Sequence, residues 1–67
     1  MDNMERVYRE NVARLKEIDD ALAVVWAPGY VFHGDDVTRI PALEAERVPI
    51  QAEVDQILAQ RPELAEG

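Results

Sequence analysis

Apolar residues recur at steps of three and four from Met4 to Trp26: Met4, Val7, Tyr8, Val12, Leu15, Ile18, Leu22, Val25 and Trp26. That spacing puts one stripe along one side of an α-helix. At about 100° per residue the stripe covers roughly 140° of the cylinder, wide enough for a core-facing surface. Arg6, Arg9, Glu10, Lys16, Glu17 and Asp20 occupy the other side. The pattern predicts a long helix over residues 3–26. Asp2 or Asn3 is placed to cap it, and Asp2 with Glu5 has the spacing of a capping box. Opposite charges stand four apart at Asp2–Arg6, Glu5–Arg9, Arg6–Glu10, Glu10–Arg14 and Lys16–Asp20, a ladder expected to neutralise itself in water. Read as heptads, Met4, Tyr8, Asn11, Leu15, Ile18, Leu22 and Val25 alternate through two seam positions, which supports coiled-coil-like packing without requiring it.

Pro28-Gly29 predicts a turn after Ala27. The next run, Tyr30-Val31-Phe32-His33, is aromatic and β-branched, and Val37-Thr38-Arg39-Ile40 has the composition to return beside it. Residues 30–40 are therefore read as a short β-hairpin or, alternatively, a structured loop. Pro41 suits the first turn of a second helix, with Thr38 as its cap. That helix is expected over 41–61, kinked or broken at Pro49. Beyond Pro49 its stripe is Ile50, Val54, Ile57 and Leu58. Leu43 shares the face if the helix runs through, and Val48 does not. Residues 62–67 read as a loose tail. The expected fold class is mainly α: one small domain, 1–67, an antiparallel two-helix hairpin joined by an aromatic connector and assembling into a helical bundle.

Length changes the picture more than composition does. A chain of 67 residues buries only about 60% of its unfolded surface, so its own core is marginal. Small domains compensate with disulfides, metals or self-association. There is no Cys and one His, which leaves self-association. The second stripe, Leu43, Ile50, Val54, Ile57 and Leu58, is shorter than the first. Part of the first is then expected to meet another copy of the chain, through Met4, Val7, Tyr8, Asn11, Leu15, Ile18 and Leu22. Asn11 has two readings here: bonded to nearby backbone or water, or a seam residue that sets register or oligomeric state.

Charge and side-chain inventory narrow the function classes. Fourteen acidic residues against seven basic ones give a net charge of −7, which argues against direct binding to nucleic-acid backbone or anionic membrane. Met1–Arg6 lacks the pattern of a signal peptide, the longest apolar run is Ala21–Ala27, and a cytoplasmic protein is the expectation. No Ser or Cys and a single Thr and Lys make nucleophilic catalysis poorly served, so no enzyme and no cofactor is expected. His33-Gly34-Asp35-Asp36 reads first as a polar turn and only second as a divalent-metal cluster. Trp26, Tyr30 and Phe32 either cap the open end of the helix pair or anchor a protein partner. With Asp35 and Asp36 they form the candidate partner-binding set.

The leading expectation is a non-catalytic interaction module, a homodimer or larger bundle that meets a second protein. The runner-up is an acidic decoy inhibitor of a nucleic-acid-binding or nuclease protein, of the kind some phages encode against host defence. With Tyr30–Ile40 as a hairpin between flanking helices, the order helix–hairpin–helix also resembles the small phage head–tail joining proteins. That resemblance implies a structural component of a phage-like particle.

Overall fold

Asp2 starts the first element as its capping-box position predicts. Its carboxylate accepts the Glu5 backbone N–H at 2.7 Å, and its carbonyl accepts that of Arg6 at 3.1 Å. The computed structural model describes residues 2–66. In chain order it contains α1 (Asn3–Val25), α2 (Asp36–Gln60) and a C-terminal 3-10 helix (Pro62–Glu66). The helices pack against each other as a hairpin. Ion pairs at Asp2–Arg61, Arg14–Glu46 and Asp19–Arg47 tie them together in antiparallel register. The body is rod-shaped, 42 × 19 × 18 Å.

The core is the strip where the two stripes meet. Leu15, Ile18 and Val25 from α1 and Val54 and Ile57 from α2 are buried, and Ile18 is fully covered. Leu43, Ile50 and Leu58 are half-buried on the same side of α2, whereas Val48 is exposed, as the helical spacing predicts.

Several expectations are corrected. No strand forms among the described residues. Val37–Ile40, read as a returning strand, is the first part of α2, which begins at Asp36 rather than at residue 41. The β-branched residues favour a strand only if a partner strand covers them. Here Thr38 and Arg39 already donate to the Asp35 carbonyl, at 3.2 and 2.9 Å, and the chain goes on as a helix. The helix–hairpin–helix order behind the resemblance to head–tail joining proteins is therefore not the order formed. Pro41 and Pro49 both lie inside α2, which deprives the Val37 and Ala45 carbonyls of their usual helical donors. The helix nevertheless runs unbroken through Pro49. Where a loose tail was expected, Pro62–Glu66 forms a 3-10 helix, and the Leu64 amide donates to the Arg61 carbonyl at 3.1 Å. Arg61 bridges Asp2 and Glu63 and so fastens this end to the start of α1.

The charge ladder is also rearranged. Glu5–Arg9 and Lys16–Asp20 form at 3.0 and 3.4 Å. Arg14 instead turns to Glu17 and across the seam to Glu46, Arg6 bonds Asn3, and Asp2 goes to Arg61. A partner on a second helix fixed nearby is reached by these long side chains as easily as one on their own helix. Asp19 accepts from Arg47 across the seam at 2.8 Å.

Candidate functional site

The connector leaves α1 through a type II turn. The Tyr30 N–H donates to the Ala27 carbonyl at 3.2 Å, Pro28 sits at the first central position, and Gly29 at the second with φ +85°. A Cβ at Gly29 would meet nothing within 4 Å, so backbone geometry, not space, selects glycine there.

The turn delivers the aromatic residues to one end of the rod. Trp26 meets Phe32 edge-on with ring centroids 6.1 Å apart, Tyr30 meets Phe32 at 5.7 Å, and Tyr30 meets His33 at 6.1 Å. Edge-to-face contact is the arrangement that ring quadrupoles favour. The cluster does not close over the core: Trp26 is 64% exposed and Phe32 57%, while Tyr30 is half-buried. Val31 and Val37 are also exposed at this end, as is Val24, which two residues before Trp26 lies on the opposite side of α1. Of the large apolar side chains exposed among the described residues, only Val12 and Val48 lie outside this end.

Asp36 holds the cluster in place. It is 2% exposed, and its carboxylate accepts the Tyr30 hydroxyl and the His33 backbone N–H, both at 2.9 Å. Its own N–H donates to the His33 carbonyl at 3.0 Å. The acid thus reaches back three residues as the second half of a capping box does. The signal for this was present in the sequence as His33-x-x-Asp36, but the Gly-Asp-Asp triplet reads more readily as an isolated turn. The His33 amide, then the Tyr30 hydroxyl, hold the Asp36 carboxyl below the usual carboxylate range. Arg39 and His33 add smaller charge effects, and burial opposes them. The same bond to Asp36, with burial, raises the Tyr30 phenol above its ordinary value.

The candidate residues separate into groups. Trp26, Phe32 and Asp35 face solvent, Tyr30 is half-buried, and Asp36 points inward and organises the loop. Among the residues expected at an oligomer interface, Leu15 and Ile18 are buried within the chain itself. Met4, Val7, Tyr8, Asn11 and Leu22 are half-buried. The Asn11 side-chain nitrogen Nδ2 is covered and has no hydrogen-bond partner. Its position between Ile18 and Leu15 around the helix aims it into the seam with α2.

At the other end, a groove of about 460 Å³ lies between α1 and the 3-10 helix, with Tyr8, Val12 and Leu64 among its apolar lining and Glu5, Arg9 and Arg61 at its edges. Among the described residues no three His, Cys, Asp or Glu side chains gather as a metal site. Among the same residues no helix is long and apolar enough to cross a membrane.

No protein-family model matches the chain, and no curated protein or solved structure shows significant similarity to it. Its function is therefore argued from its own residues.

Proposed function

We propose that the chain is a non-catalytic protein–protein interaction module, a small acidic homo-oligomer that presents its aromatic end to a protein partner. The observation that carries this reading is the outward-facing Trp26–Phe32 pair, fixed by the Tyr30–Asp36 bond, with Val31 and Val37 exposed at the same end. Contiguous exposed apolar surface marks interaction sites, and Trp and Tyr dominate binding hot spots. A loop held in one geometry before binding loses less freedom when a partner closes on it. Asp35 supplies a charged rim, while Asp36 acts by positioning the rings.

The test is site-specific photo-crosslinking in the protein's own cells, with the probe at Trp26, at Phe32, or at exposed Glu53 on α2 as a control. A discrete protein adduct from the two connector positions and none from Glu53 is the expected result. Equal adducts from all three, or none from the connector, would refute the reading.

A second reading, an acidic inhibitor of a basic nucleic-acid-binding or nuclease surface, draws on the net charge of −7 and on Glu10, Glu17, Glu46 and Glu53. Helical spacing puts these four on one flank of the hairpin, with Arg6, Arg14 and Arg39 among them. A complex formed this way weakens steeply between about 50 and about 300 mM salt, whereas docking through the aromatic end changes little.

A further inference from the structure

The hairpin has two long flanks, told apart by its two mid-helix ion pairs. Going round α1 from Ile18 at about 100° per residue, Asp19 lies about 100° one way and Arg14 about 40° the other. Asp19 bonds Arg47 on one flank, and Arg14 bonds Glu46 on the opposite one. The same count places the acids that have no ion pair among the described residues. Glu10 and Glu53 fall on the Arg14 flank, where Arg6 and Arg39 are bases in the same condition. Glu44 and Asp55 fall on the Asp19 flank, roughly 80° and 100° from Val54. There the bases are taken, Arg47 by Asp19 and Lys16 by Asp20. Asp55 accepts only from the Gln51 amide Nε2, an uncharged donor, at 3.0 Å.

Apolar surface sorts the same way. Away from the aromatic end, the large apolar side chains exposed among the described residues are Val12 and Val48, the latter 69% exposed. They lie roughly 120° from Ile18 and from Val54, both on the Asp19 flank. Tyr8 and Leu58 are half-buried on the same flank, nearer the seam. The groove floored by Tyr8, Val12 and Leu64 opens on this side of α1. Along α2, Glu44, Val48 and Asp55 keep within about 40° of one line, and Glu44 to Asp55 is three turns, about 16 Å. A helix laid along the rod repeats on the same three turns. It can therefore set one basic residue at each acid, with apolar residues between them against the valines. A second copy of the chain would bring its own Glu44 and Asp55 to this face, acid beside acid.

We infer that the Asp19–Arg47 flank docks a basic amphipathic helix of a protein partner, with apolar side chains on Val12, Val48 and the groove and arginine or lysine at Glu44 and Asp55. The warrant is charge complementarity: two carboxylates without a cation border exposed valines on a face that holds no spare base. This goes beyond the interaction-module reading, because the face is not the aromatic end and either can fail alone.

The probe is a fluorescently labelled Leu/Lys peptide of about 18 residues with one apolar face, titrated with the full chain at about 50 and about 300 mM salt. Its Leu/Glu counterpart is the control. The Leu/Lys peptide should bind, and more weakly at the higher salt, while the Leu/Glu peptide should not bind. NMR amide shifts should gather at Val12, Glu44, Val48 and Asp55. Glu44→Gln with Asp55→Asn should weaken binding about fivefold or more at the lower salt. Glu10→Gln with Glu53→Gln makes the same change in net charge on the other flank and should leave binding within about twofold. Val48→Ser leaves the charge alone and should weaken binding as well. All these sites are exposed, and helical circular dichroism of each variant should match the parent. No binding of the Leu/Lys peptide overturns the inference. So do equal losses in the two double variants, binding that salt does not move, or shifts gathered at Phe32 instead. Connector crosslinks without peptide binding sink the helix docking alone. Peptide docking without connector crosslinks sinks the aromatic-end reading alone.

Discussion

Asn11→Leu removes the one polar atom found buried and unpaired among the described side chains. An amide sealed from water without a partner costs about 1–3 kcal/mol. Leucine branches at the same carbon and is close to the same size, so the exchange leaves no large void and forces little overlap. It also gains up to about 0.7 kcal/mol of helix propensity over asparagine. Asn11 is half-exposed as a residue, which keeps the gain from the hidden amide toward the lower end. The expected net gain is about 1–2 kcal/mol, or a rise in Tm of roughly 5–15 °C for a domain of this size. Thermal and urea melts followed by helical circular dichroism measure it, at a concentration where the protein is a single species, since pairing itself raises Tm with concentration. Asn11→Asp brings a charge into the same seam and should lower Tm. The mass of the assembly should not change in Asn11→Leu, because the amide faces the chain's own second helix. A Tm that stays level or falls in Asn11→Leu means the amide has a partner in solution, and the seam argument is wrong.

Two further outcomes follow from the core and from Asp36. Ile18 is 0% exposed, so Ile18→Ala should cost about 2–5 kcal/mol in a chemical melt, a large part of the stability of so small a domain. Val24→Ala, already in water, should cost well under 1 kcal/mol, and comparable losses at the two sites would refute the assignment of the core. Asp36 titrates below its ordinary value when folded. The stability from its ionised form is therefore complete above the unfolded carboxyl pKa of about 4 and is lost as pH falls through the lower folded value. Melts from about pH 2 to about pH 7 should show Asp36→Asn less stable than the parent at neutral pH and the gap closing in acid. A gap that stays constant with pH would mean the Asp36 charge contributes nothing.

The helices were legible in the sequence because their evidence is local. Steps of three and four from Met4 to Trp26 describe α1 to within one residue, and the spacing of Ile50, Val54, Ile57 and Leu58 separates the covered side of α2 from exposed Val48. What crossed the chain was not legible. Arg14 keeps a same-helix partner in Glu17, and only the position of α2 shows that Glu46 joins it and that Arg61 takes Asp2 from Arg6. Asn11 was recognisable as a polar residue in an apolar stripe. Within the chain that stripe meets α2, whose Val54 and Ile57 complete the core with Leu15 and Ile18.

The exposure of the aromatic end turns on a single boundary. A second helix starting near residue 41 would leave a connector long enough to fold Tyr30 and Phe32 back over the open end of the seam. With α2 starting at Asp36, the link from Trp26 to Asp35 is ten residues, and turns at Ala27–Tyr30 and His33–Asp36 take up most of them. What remains is too short to return over the core, so Trp26 and Phe32 end in water. Asp36, the first residue of α2, holds the turn before the helix through its carboxylate, which accepts from the His33 amide and the Tyr30 hydroxyl. A change that removes the Asp36 carboxylate takes from the Tyr30 hydroxyl and the His33 amide the one acceptor they share.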